Sequence, residues 1–136
     1  SPSYSARIST GGTSLTEHGA QAVACAAELA LHNGQDPVAL DLSGLHGWTD
    51  YFVIASATSS THLRGMARHL LDFCAARGIE VLRQPRIGED EEWVLVDCGW
   101  LVVHLMSARA REFYELEKLW FQAEKLPVPA PRPAGA

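Results

Sequence analysis

Two side chains in the stretch "WVLVDCGWLVVHLM" (93–106) have the chemistry for proton transfer, Asp97 and His104. A carboxylate that orients an imidazole is the base half of a nucleophilic triad. The third member has to be an activated Ser or Cys, and the chain has no G-x-S-x-G elbow to present one. If Gly99-Trp100 is the turn of a hairpin, Asp97 and His104 are diagonal neighbours and Cys98 points to the opposite face. The pattern fits an interface or structural pair better than a catalytic dyad. Metal chemistry has thin support as well. His62 and His69 are seven residues apart in one helical segment, on one side but two turns distant, so they read as solvated helix residues and no metal site is expected. Asp41, Asp50 and Asp97 stand near strand ends, where Mg²⁺-dependent nucleotidyl transfer places its carboxylates, yet no D-x-D pair joins them. The segment "ATSSTH" (57–62) joins a strand to a helix N-terminus that could hold an anion, but it lacks a G-x-x-x-x-G-K pattern and its hydroxyls are explained by capping alone.

Charge narrows the classes of partner. Sixteen Asp and Glu against eleven Lys and Arg give a net charge of −5, without the basic footprint that a phosphate backbone demands. Direct sequence-specific nucleic-acid binding is disfavoured, and a basic protein partner is better matched. At 136 residues, 47% hydrophobic and 20% charged, the chain fits one globular domain with a real core. The three cysteines, Cys25, Cys74 and Cys98, lie far apart inside apolar periodic segments with no C-x-x-C pair, as small core residues of a reduced, cytoplasmic protein do. No stretch approaches the roughly twenty apolar residues of a membrane span. Residues 1–13, "SPSYSARISTGGT", read as a flexible N-terminus or one foreign to the native chain, 14–126 as the domain, and 127–136, with its four prolines, as a disordered tail.

The elements that position these groups follow from periodicity. A helix is expected over 16–32, with Ser14 and Glu17 at capping-box spacing, an apolar stripe of Ala20, Val23, Ala24, Ala27 and Leu31, and Asn33-Gly34 as its stop. "PVALDL" and "YFVIASAT" are strands separated by too few residues for a helical crossover, hence antiparallel neighbours. The segment 60–77 carries apolar residues at 63, 66, 67, 70, 71 and 74, with Ser59 or Ser60 as N-cap and Gly78 at C′. It leads into "IEVLR" (79–83), which would complete a right-handed βαβ unit with strand 51–56. After a charged loop, the hairpin pairs Cys98 with Leu101, Val96 with Val103 and Val94 with Leu105 on a small apolar face that is core. Asp97 with Val102, Leu95 with His104 and Trp93 with Met106 form the other face. That second face mixes aromatic, aliphatic and ionisable groups, as a surface does that is wet in one state and covered in another. A last helix starts at Ser107 and turns Phe113, Leu116 and Leu119 or Trp120 inward. The whole is a single α/β domain with a mixed sheet and helices mainly on one face.

The ordered blocks "TDYFVIASATSS", "EEWVLVDCG", "VVHLM" and "FYELEKLW" resemble the ribosomal silencing factor family, also called Iojap, over roughly residues 14–122. The resemblance implies a nucleotidyltransferase-like topology without catalysis or cofactor. It further implies binding to ribosomal protein uL14 of the large ribosomal subunit, which blocks joining of the small subunit and represses translation under nutrient limitation; a homodimer is the further association considered. The second hairpin face then becomes the docking surface, with Trp93 as anchor. Partner contacts are expected from Trp93, Leu95, Asp97, Val102, His104 and Met106, and from Tyr114, Glu117, Lys118 and Trp120 of the last helix. The family usually carries an acidic residue after the hairpin glycine, where this chain has Trp100; a tryptophan there either enlarges the contact or packs on a neighbouring subunit. The alternatives are a nucleotide- or metal-dependent transferase and a scaffold that only self-associates.

Overall fold

The computed structural model of the chain describes residues 7–10, 13–45, 47 and 49–131. The chain opens with an antiparallel hairpin of β1 (Arg7–Thr10) and β2 (Thr13–Thr16), so strand pairing reaches into the segment that the sequence reading set aside. Residues 1–6, 11 and 12 of that segment lie outside the described residues. Helix α1 (Glu17–Leu31) is capped by Thr16, whose Oγ1 accepts the Gly19 amide at 2.9 Å. Thr16 thus takes the role expected of Ser14. The helix buries Gly19, Ala22, Cys25, Ala26, Leu29 and Ala30, a stripe rotated from the expected one, and leaves Leu31 exposed. Alanine on every side gives such a helix little contrast between its faces, so Cys25 and Leu29 set its phase.

β3 (Gln35–Asp41) pairs antiparallel with β4 (Tyr51–Ala57), as the short connection requires. Helix α2 (Ser60–Ala76) follows, with Ser59 Oγ accepting the His62 amide at 3.0 Å. It ends in a Schellman motif: Gly78 takes φ 71°, and the Ile79 amide donates to Cys74 O at 2.8 Å. The expected strand 79–83 does not form. That segment hydrogen-bonds the sheet through an isolated bridge between Arg83 and Asp97 and a Leu82 amide bond to Asp97 O of 2.9 Å, while Ile79 and Val81 pack on the first core. Pro85 has no N–H to extend such a ladder, and the acidic run Glu89–Glu92 has to stay wet. The parallel partner of β4 is instead β6 (Leu101–Ser107), reached through α2 and the edge strand β5 (Trp93–Asp97).

The β5–β6 hairpin has the register read from its turn: Trp93 opposite Met106, Val94 opposite Leu105, Leu95 opposite His104, Val96 opposite Val103 and Asp97 opposite Val102. Gly99 adopts φ 84° at the first central position, where L side chains are strained. The sheet order is β5–β6–β4–β3–β7, the last strand, β7 (Glu124–Leu126), pairing with β3. No periodicity in the sequence announces that three-residue strand.

Alternation divides the sheet into two cores. Val53, Ala55, Val94, Val96, Leu101, Val103 and Leu105 pack with Leu29, Leu63, Met66 and Leu70 beneath α1 and α2. Leu40, Leu42, Phe52, Ile54, Val102 and Met106 face the other way, where Ala110 of α3 (Ala108–Tyr114) and Leu116 of α4 (Leu116–Leu119) cover them. The two long helices share one face and only these short pieces cover the other. Central strands buried on both sides explain why β4 and β6 read as nearly unbroken apolar runs. Cys25, Cys74 and Cys98 are buried free thiols; removal from water pushes the pKa of Cys25 up, and a hydrogen bond with Cys74, then burial, pushes that of Cys98 up. Beyond β7, residues 127–131 form no regular element, although Val128 packs on the first core.

Candidate partner-docking surface

The second hairpin face is mostly covered. Val102 and Met106 are wholly buried and His104 is only 3% exposed, so these three cannot reach a partner while the domain is folded. His104 Nδ1 accepts the indole N–H of Trp93 at 3.1 Å, and Phe52 meets the imidazole edge-on at 4.6 Å. With Nδ1 accepting, the neutral ring carries its proton on Nε2, which has no hydrogen-bond partner among the described residues. Burial lowers the His104 pKa to about 4. Asp97 does not meet His104: its Oδ1 accepts the Gly99 amide at 2.8 Å and braces the turn. The two groups that open a catalytic reading are therefore absorbed by structure, each in a different way.

Trp93 is half-buried at the rim of this face, its ring 4.7 Å from that of Tyr114. Aromatic contacts continue outward from Tyr114 to Phe113 (5.0 Å) and inward from His104 through Phe52 to Trp120 (5.7 Å from Phe52). A concavity of about 360 Å³ opens between Trp93, Phe113, Tyr114, Ala110 and Arg109.

The last helix is broken, which the sequence reading missed. Glu115 sits at φ 49°, ψ 51°, left-handed geometry with neither glycine nor proline to favour it. Arg111 holds the break. Its Nε and Nη2 donate to Glu117 Oε1 and Oε2 at 3.1 and 3.0 Å, and its Nη1 donates to Gln35 O and Ser56 Oγ, both at 3.1 Å. The side chain is nearly buried, and its hydrogen bonds hold the Glu117 carboxyl below the usual range. Glu117, expected at the docking surface, is thus engaged inside the chain. The break also turns Phe113 and Leu119 outward, where the sequence had them inward; they are 79% and 70% exposed, and Phe121 is 77% exposed. Leu116 remains buried and Trp120 half-buried. Leu95, Tyr114 and Lys118 stand in solvent as expected, Lys118 donating to Glu115 Oε1 at 3.1 Å. The adjacent bulky pair Phe113-Tyr114 carries the missed signal, since two large aromatics at consecutive positions, about 100° apart, are hard to bury together on the narrow stripe of a short helix.

Trp100 has partners within its own chain. Its ring stacks on His18 at 4.0 Å and meets Tyr51 edge-on at 6.2 Å. The aspartates named from the sequence lie apart. Asp41 caps Ser43, accepting both its amide (2.9 Å) and its hydroxyl (2.6 Å), and among the described residues Asp41, Asp50 and Asp97 do not converge. A concavity of about 600 Å³ lies between "ATSS" and the starts of α2 and α3. Glu89, Asp90, Glu91 and Glu92 line it, an unsuitable wall for an anion.

The fold is an α/β domain whose mixed sheet is roofed on one side by a broken, aromatic-bearing C-terminal segment. The chain matches the family described as "Ribosomal silencing factor during starvation" over residues 16–135, and it belongs to that family. It is 39% identical over 88 residues to the ribosomal silencing factor of Haemophilus influenzae, an alignment spanning 64% of this chain and 84% of that protein. It is 38% identical over 96 residues to the mouse protein named "Mitochondrial assembly of ribosomal large subunit protein 1", covering 68% of this chain and 41% of that one. A crystal structure of a Chromobacterium violaceum protein superposes with a TM-score of 0.65 at 29% identity, over 85% of this chain and 95% of that chain.

Proposed function

We propose that this protein docks on the large ribosomal subunit at ribosomal protein uL14, blocks joining of the small subunit and so represses translation when nutrients are scarce. The observation that carries the reading is the apolar set left in solvent on one side of the sheet, Phe113, Tyr114, Leu119 and Phe121, beside the half-buried Trp93 and Trp120. Aromatics in that state anchor interfaces, because most of their area can be buried at little conformational cost. Family membership and the printed name of the mouse relative support a large-subunit partner. A net charge of −5 suits a basic ribosomal protein and opposes direct binding to ribosomal RNA. The action is occlusion, without turnover, beside the ribosomes of the cytoplasm.

Sedimentation of the protein through a sucrose gradient with purified subunits tests this. Co-migration with the large subunit and not the small one is expected, together with fewer joined ribosomes as the protein is added. Recovery with the small subunit alone refutes the reading.

A further inference from the structure

Three donor side chains from two helices meet where α1 ends. Glu28 and His32 are four residues apart on α1 and at its C-cap, and His69 comes from α2. Glu28 Oε2 lies 2.7 Å from His69 Nε2 and 3.4 Å from His32 Nε2, and the three donor atoms all fall within 4.8 Å of one another. Bonds of about 2.0–2.1 Å to a tetrahedral Zn²⁺ put neighbouring donors about 3.3 Å apart, so the two distances to Glu28 are within chelate range. Side-chain exposures of 43% for His32, 33% for His69 and 24% for Glu28 leave an ion an approach from solvent and a position for water.

The frame around the donors is fixed. His62 Nδ1 accepts the Thr58 amide at 2.9 Å, which leaves its Nε2–H to donate to the His32 carbonyl at 2.8 Å. His62, one of the two histidines whose spacing fails for a shared ion, braces the backbone of a donor instead. The His32 and His69 rings lie 3.4 Å apart between centroids, tilted by 39°. Two imidazoles on one tetrahedral ion hold their centroids about 5 Å apart, so loading spreads the rings, as their partial exposure permits. Nothing in the docking reading uses these groups.

We propose that Glu28, His32 and His69 form a binding site for a divalent transition-metal ion of Zn²⁺ type, with water completing the coordination and the ion clamping the end of α1 to α2. Two imidazoles and a carboxylate are the donor set that such an ion takes in preference to Mg²⁺ or Ca²⁺.

Titration of the full chain with Co²⁺, followed by its visible d–d absorption and then by competition with Zn²⁺, tests the site. One saturable ion per chain with a tetrahedral band is expected, and saturating Zn²⁺ should raise Tm by several degrees. His69→Gln and His32→Gln should each weaken binding at least about tenfold. His18→Gln, whose ring stacks on Trp100, should leave it unchanged. Absence of saturable binding to the wild type overturns the proposal, as does one ion shared by two chains, or unchanged affinity in a folded His32→Gln/His69→Gln double variant. The wild-type titration can refute the site by itself, whatever the variants' stability, and its outcome is independent of ribosome binding.

Discussion

His104 should make the domain acid-sensitive by a calculable amount. Its imidazole is buried, accepts one hydrogen bond from Trp93 and has its pKa lowered by burial from 6.5 to about 4. Between these two values the unfolded chain binds a proton that the native chain refuses, so stability rises with pH across this window and is lost as pH falls through it. A gap of about 2.5 units at about 1.4 kcal/mol each removes about 3.5 kcal/mol when complete, most of it by about pH 4.5. His104→Phe keeps a planar ring against Phe52, removes the unpartnered Nε2 and abolishes the titration. Trp93 loses its acceptor in that variant, a cost equal at every pH, which cancels from a pH difference. Urea unfolding of both proteins between about pH 7 and pH 4.5 isolates the effect, because carboxylates such as Glu117 titrate in both. Glu117, with its pKa lowered by Arg111, adds its own loss only as pH falls below the ordinary glutamate value. Over that range the wild type should lose about 2.4 kcal/mol more than His104→Phe. Parallel stability curves would refute the reasoning, since they require His104 to titrate alike folded and unfolded.

Three further outcomes follow from the packing. Arg111→Met removes the bidentate partner of Glu117 and the donor to Gln35 O and Ser56 Oγ, and should cost about 2 kcal/mol, discounted for the partial exposure of Glu117, by chemical denaturation. Phe113→Asp with Phe121→Asp places charges on the exposed aromatic face, and should weaken large-subunit binding roughly thirtyfold, about 2 kcal/mol, in a pelleting assay while leaving Tm unchanged. Val96→Ala opens a cavity under α2 and should lower stability by about 1–3 kcal/mol with binding per folded molecule preserved.

The parts of the fold legible in the sequence are those specified by short-range chemistry. Gly99 and the two-residue turn determine every pair of the β5–β6 hairpin, and the strong apolar contrast of α2 gives its buried side and both of its caps. Where contrast is weak or the deciding contact is distant, local reading fails. The stripe of α1 is misphased because alanine marks no side. The strand expected at 79–83 does not form because its place beside β4 is taken by β6, an outcome of long-range pairing. The break at Glu115 depends on Arg111 reaching Glu117, Gln35 and Ser56 at once, a set of spacings that no helical pattern contains. The covering of the second hairpin face is hidden from the sequence for the same reason. An aromatic, an imidazole and a carboxylate on alternate hairpin positions look wet until the broken C-terminal segment is known to fold back over that side.

That fold-back changes what the hairpin aromatics do. A continuous helix from Ala108 to Trp120 would carry Phe113, Leu116 and Trp120 on one side, at offsets of three and seven, and bury all three against the sheet. The left-handed residue at Glu115 separates them, so that Leu116 and Trp120 stay against Phe52 and its neighbours while Phe113 swings into solvent beside Tyr114. Trp93 then works from beneath, its ring under Tyr114 and its N–H held by His104, fixing the orientation of a surface that other residues present. Pre-ordering such a face removes part of the conformational entropy that binding would otherwise cost. Arg111 and His104, both largely buried, therefore govern the shape of the exposed aromatic surface.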